Sequence, residues 1–161
     1  MKKAVIFLLM VITFYFLNGC SSLPKENLNQ GILVILGENN HPDSFVKYRL
    51  YYTDEKFITY YPKNGITVFK GLDPGKYHVP YIKSYYKESN TFSRQFDAGL
   101  IFTIEAGEIS ILNVKIVIDK KQKSGELYQT IYYKKITPKE KSNVIDNLKK
   151  YKNHEIWILP E

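Results

Sequence analysis

The stretch GLDPGKYHV, residues 71–79, sets an apolar residue, a tight turn and the opening of a strand in direct succession. Leu72 is an apolar plug, Pro74 and Gly75 make the turn, and Tyr77 starts a run that continues to Ile82. Outward from it, the chain repeats one pattern: short β-branched and aromatic runs separated by turn chemistry. Upstream lie ILVIL (32–36), FVKYRLYY (45–52), FITYY (57–61) and ITVFK (66–70). Downstream lie TFSRQF (91–96), LIFTI (100–104), ISILNVKIVI (109–118) and ELYQTIYYK (126–134). This spacing predicts eight or nine strands in a mainly β fold, a sandwich or barrel of antiparallel strands, and a mainly antiparallel β-sandwich is the expected form.

Individual runs carry finer expectations. ILVIL is apolar without a break, which suits a strand buried on both faces. FVKYRLYY alternates, with Val46, Tyr48, Leu50 and Tyr52 on one face and Lys47 and Arg49 on the other. Runs 45–52, 57–61 and 66–70 read as a meander. One helix, 138–151, ends the series: Thr137, Pro138 and Glu140 form a capping box with proline at the first helical position. Its stripe is Val144, Ile145, Leu148 and Tyr151. EIWILP, 155–160, is apolar enough to pack on the sheet.

The turn-then-tyrosine of 71–79 resembles the strand entry of transthyretin-like and carboxypeptidase-regulatory-like sandwiches. In those families the phenol bonds back to the turn, as in the immunoglobulin tyrosine corner. FTIEAGEISILNVKI, 102–116, is similar to their late hairpin, in which a glycine turn joins two long strands. The resemblance spans about residues 31–118 and implies accessory, stalk or binding modules without shared catalytic residues. Fold likeness does not transfer function.

The N-terminus has a different character. Lys2 and Lys3 precede an apolar run, Ala4 to Leu17, and then Asn18 and Gly19, the layout of a secretory signal. Cys20 is the sole cysteine. Leu17, Asn18, Gly19 and Cys20 resemble the bacterial lipobox, with Asn18 departing from the usual small residue. That resemblance implies cleavage after residue 19, a diacylglycerol thioether on Cys20, often an acylated amino group, and attachment to the cell envelope. Ser21, rather than Asp, implies the outer membrane over the inner. Two or three acyl chains give stable anchoring where one does not. The expected organisation is a signal peptide at 1–19, a lipidated linker at 20–30 and a single domain at 31–161.

The full chain of 161 residues carries a net charge of +7. The excess is local: residues 119–152 hold 10 basic and 4 acidic groups, whereas residues 20–118 hold 11 and 10. A solvated helix face with a lysine-rich hairpin tip explains it, with anionic headgroups as a second reading. No nucleic-acid partner is expected of an exported, anchored protein.

Catalytic chemistry finds little support. His41, His78 and His154 lie in a loop, a strand and a tail, without metal-ligand spacing. No nucleophile elbow, zinc-binding His-Glu-x-x-His helix or phosphate-cradling glycine loop occurs. No cofactor, metal or catalytic residue is therefore expected; Cys20 is the one site, for lipidation. Adjacent tyrosines at 51/52, 60/61, 85/86 and 132/133 place one ring of each pair on an outer face. Such rings favour sugar stacking or protein contact. The chain reads as a non-enzymatic envelope lipoprotein that binds or scaffolds an envelope protein or glycan. The alternative is an envelope enzyme or inhibitor acting on glycan or peptide through loops 37–44 and 87–99.

Overall fold

A computed structural model describes residues 22–25, 28–40, 46–123 and 126–160. Its strands are β1 (Gly31–Asn39), β2 (Val46–Tyr51), β3 (Phe57–Tyr60), β4 (Gly65–Leu72), β5 (Gly75–Tyr86), β6 (Phe92–Ile104), β7 (Ile109–Ile111), β8 (Val114–Lys123) and β9 (Glu126–Lys135). One helix, α1 (Pro138–Leu148), and a 3-10 turn, His154–Ile156, follow. Among the described residues no helix is long and apolar enough to cross a membrane. The signal segment 1–19, Cys20 and residues 41–44 of loop 37–44, His41 among them, lie outside the described residues.

The described residues are mainly β, with two sheets and one helix. The first sheet runs β3-β2-β5-β6 and is antiparallel throughout. The second runs β4-β1-β8-β9, with β7 beside the start of β1. Pairing is mainly antiparallel, as expected, with one departure: β1 lies parallel to both β7 and β8. The expected meander fails: β2 and β3 pair, but β4 crosses to the other sheet and pairs with β1. EAGE closes no hairpin either. β6 stays on β5 while β7 joins β1, so turn 105–108 carries the chain from one sheet to the other. The crossing puts Ile104 in one core cluster and Ile109 in another. Runs 91–96 and 100–104 fuse into one strand through Gly99, whose φ of 61° accommodates an irregular register opposite Val79 and Tyr81. Residues 119–123, expected as part of a loop, extend β8 along β9.

β1 explains the layering. Its Leu33 and Ile35 join Tyr48, Leu50, Ile82 and Ile116 in a core shared by the two sheets. Its Ile32 and Val34 face the other way, onto Val144, Leu148 and Trp157. ILVIL is thus buried on both faces, and α1 docks by its stripe on the outside of the second sheet. The helix begins as expected. Thr137 Oγ1 accepts from Glu140 N (3.2 Å), and Glu140 Oε2 accepts from Thr137 N (2.8 Å). It stops at Leu148 rather than Tyr151, although Tyr151 continues the stripe from the following turn.

The tail packs as expected through Trp157 and Leu159, although Ile156 and Ile158 point outward; the N-terminal end departs from expectation. Part of stretch 20–30 is docked rather than spacer. Leu23 is buried in the helix-side cluster, and its N donates to Lys152 O at 2.9 Å. Asn153 Nδ2 donates to Leu23 O (2.9 Å), and Trp157 Nε1 to Pro24 O (3.0 Å). Polar neighbours hide this role in the sequence, because a single apolar side chain makes no period.

The 71–79 turn is built as anticipated. Tyr77 Oη donates to Asp73 O at 2.7 Å, with its ring stacked on Phe102 at 5.2 Å and edge-on to Tyr52 at 4.9 Å. Replacing Tyr77 by Phe keeps the packing and strands that carbonyl, so the urea midpoint should fall by the equivalent of about 1–3 kcal/mol. An unmoved midpoint would remove the corner from the stability account.

Candidate binding face

The two sheets differ in what covers their outer surfaces. α1 and the tail lie over β1, β4 and β7. No helix of the described residues is layered on the outside of β3-β2-β5-β6. Alternation points Lys47, Arg49 and Tyr51 of β2 to that surface, and Tyr81, Lys83 and Tyr85 of β5 beside them.

Register then assembles rows across the strands. Phe57 pairs with Tyr51, Tyr51 with Tyr81, and Tyr81 with Asp97. The next row is Thr59, Arg49, Lys83 and Gln95. The third has Lys47, Tyr85 and Phe92. Ring centroids of Tyr51 lie 5.1 Å from Phe57 and 5.3 Å from Tyr81, and those of Tyr85 and Phe92 lie 6.0 Å apart.

Cations are fixed between these rings. The Arg49 guanidinium carbon sits 4.4 Å from the ring centroids of both Phe57 and Tyr85. Its Nη2 donates to Asn90 Oδ1 at 3.0 Å, and Asn90 is held in the left-handed region (φ 55°) by the β5–β6 turn. Lys83 Nζ lies 5.1 Å from the centroids of Tyr51 and Tyr81. Such contacts contribute roughly 0.5–1 kcal/mol each at exposed sites, and they hold the cations in place.

The Tyr51 and Tyr85 hydroxyls are 3.0 Å apart. Burial pushes Tyr51 up, but hydrogen bonds with Tyr85 and Arg49, and the charges of Arg49 and Lys83, bring it below its ordinary value. Tyr85 is raised, first by burial and then by its bond to Tyr51. Tyr51 is only 7% exposed despite lying on the outer side, because its neighbours close over it, whereas Phe57 (37%) and Phe92 (52%) remain open. The result is a patch of flat rings with positioned positive charge.

A second feature is a groove of about 580 Å³ between α1 and the second sheet, lined in part by Glu38, Asn64, Lys115, Glu140 and Asn147. Lys115 Nζ bridges Glu38 Oε2 (2.7 Å) and Glu140 Oε1 (3.0 Å). Glu140 falls to about 2, through the bond from Thr137 N and then that from Lys115. Hydrogen bonds from Lys115 and its charge lower Glu38 despite some desolvation. These three groups are engaged with each other, fastening the helix start to the sheet.

Of loop 37–44, Gly37, Glu38 and Asn39 belong to β1; of 87–99, the residues from Phe92 onward belong to β6. Among the described residues no three His, Cys, Asp or Glu gather as metal ligands, and exposed His78 on β5 is far in sequence from His154 after α1. Sequence reading singled out the paired tyrosines and the outward Lys47 and Arg49. It missed Phe57, Tyr81, Lys83 and Phe92 as their partners, since alternation assigns a face without saying which strand lies beside it. Compared with protein families, curated proteins and solved structures, the chain matches none.

Proposed function

We propose that this protein is a lipid-anchored, non-enzymatic binding module of the bacterial cell envelope, a β-sandwich of transthyretin-like type tethered through Cys20 to the outer membrane. Its ligand face is the outer surface of β3-β2-β5-β6. The observation that carries this reading is Arg49 held between Phe57 and Tyr85, 4.4 Å from each, on the sheet that no helix of the described residues covers. A cation fixed between rings is already ordered before a ligand arrives, so less entropy is lost on binding. Flat amphipathic rings stack on sugar faces, and the cations between them pair with carboxylate or phosphate. The ligand class that uses both is an acidic envelope glycan. Support for the sandwich comes from the core shared by the two sheets, and for the transthyretin likeness from the Tyr77 corner.

Titration of the purified protein with carboxylate-bearing envelope oligosaccharides tests the face. Phe57→Ala and Lys83→Ala should each weaken binding about tenfold, near 1.4 kcal/mol. Melting temperatures should move by only a few degrees, because both residues lie outside the core clusters. Binding that is unaffected by both substitutions, or no acidic saccharide bound at all, would sink the proposal.

A further inference from the structure

We infer that the layer made by residues 22–25, α1 and the tail lies flat against an anionic phospholipid surface, turning the aromatic face away from the bilayer. The inference rests on the anchored reading for its geometry. Ser22 bridges to Lys152, and Leu23 and Pro24 are hydrogen-bonded to the tail, so the chain is fixed to the domain two residues after Cys20. Two residues reach at most about 7 Å. Acyl chains on Cys20 therefore enter the membrane beside Lys152, and the domain has no slack with which to turn over.

What surrounds that point suits lipid headgroups. Lys70 Nζ donates to Ser22 O, and exposed Lys25, Lys149, Lys150 and Lys152 lie on the segment, helix end and tail that form the layer. Exposed acids of the same segments are Asp146, already paired with Lys149 at 3.7 Å, and Glu155. The excess of cations attracts an anionic leaflet. Among them Ile158 is 61% and Leu28 50% exposed, with Ile156 also open. Leu28 adjoins Gly107, whose carbonyl accepts from Ile158 N at 3.1 Å, so these apolar groups border one turn. That turn also carries exposed Glu105, so the cations of the layer lie on Lys25 and residues 149–152; exposed apolar side chains on a lysine-rich layer are the composition of an interfacial contact. The ligand face lies on the far side of both sheets, and a flat layer would hold it toward the space beyond the membrane.

The full-length chain, expressed in a bacterium, purified from its membranes and reconstituted in nanodiscs, provides the test. Trp157 is the only tryptophan and packs under this layer, so lipids brominated high on their acyl chains report its proximity. In discs containing one third phosphatidylglycerol, quenching should be at least twofold stronger than in neutral phosphatidylcholine. Hydrogen exchange should slow at residues 22–25 and 149–158. Lys149→Glu with Lys150→Glu, both exposed, should remove the difference while leaving the melting temperature near that of the parent. Equal quenching in the two discs, or a difference that survives the charge reversal, would overturn the inference. Intact mass resolves where a failure lies. An unmodified Cys20 refutes the anchor, and flotation of that same protein with phosphatidylglycerol vesicles then decides the layer alone: binding lost on charge reversal upholds it, and no binding refutes it.

Discussion

A chain stopped after Thr137 is expected to lose its cooperative unfolding transition. Such a chain lacks Val144, Leu148 and Trp157, all buried, and with them the cover over Ile32, Val34 and Ile109. Burial of each large apolar side chain contributes roughly 1.5–3 kcal/mol. Losing three, and stripping their partners bare, removes an amount comparable with the whole margin of a domain, about 5–15 kcal/mol. Leu23 loses its hydrogen bonds to Lys152 and Asn153, and Lys115 loses one of its two carboxylates. Far-ultraviolet circular dichroism on heating reads the outcome. A truncated chain with the parent's melting curve would show that the two-sheet core is self-sufficient and the helix layer an accessory.

Gly37→Val should be strongly damaging in β1. A Cβ at this position would overlap the buried Tyr60 hydroxyl and come within 2.5 Å of the Lys63 carbonyl. The hydroxyl belongs to a flexible ring, but the carbonyl is backbone and yields only if the β3–β4 connection moves. Overpacking of a core typically costs about 1–3 kcal/mol. Gly37→Ala should reach that range and valine should exceed it, although either change stiffens the unfolded chain and would otherwise help. Tyr60→Phe removes one of the two obstacles, so in a double-mutant cycle it should recover part of the alanine penalty. Urea midpoints measure all four species. An alanine variant as stable as the parent would mean that Gly37 has room to spare.

The sequence made elements legible and neighbours largely illegible. Alternation in FVKYRLYY placed Tyr48 and Leu50 inward and Arg49 outward, because a strand's side chains have no third option. Thr137, Pro138 and Glu140 marked the helix start for a similarly local reason: the bonds that cap it span three residues. Tyr77 bonding to Asp73 spans four. Sheet membership depends instead on which strands offer complementary buried faces. The meander reading of runs 57–61 and 66–70 implies a return along β3, yet the chain after Gly65 crosses to β1, and the acceptor there was not visible from the turn. The candidate face suffered most. Arg49, Phe57 and Tyr85 meet only after two register choices, that of β3 on β2 across a short hairpin and that of β5 on β2, the second joining residues far apart in the chain.

The clasp between Leu23 and Asn153 closes over 130 positions of chain, and that between Pro24 and Trp157 over 133. At roughly 5–20 residues per second of synthesis, the first half of each clasp precedes the second by about 10 s. Throughout that interval Leu23 lacks Lys152, Asn153 and Trp157, and Ile32 and Val34 lack the cover of Val144, Leu148 and Trp157, which also comes late in the chain. Contacts of such separation slow folding as well, because loop closure must come before any gain. The helix-side layer is therefore the final act of maturation. Until it closes, the nascent protein shows an apolar sheet to its surroundings, and any factor that escorts it has a defined surface to hold.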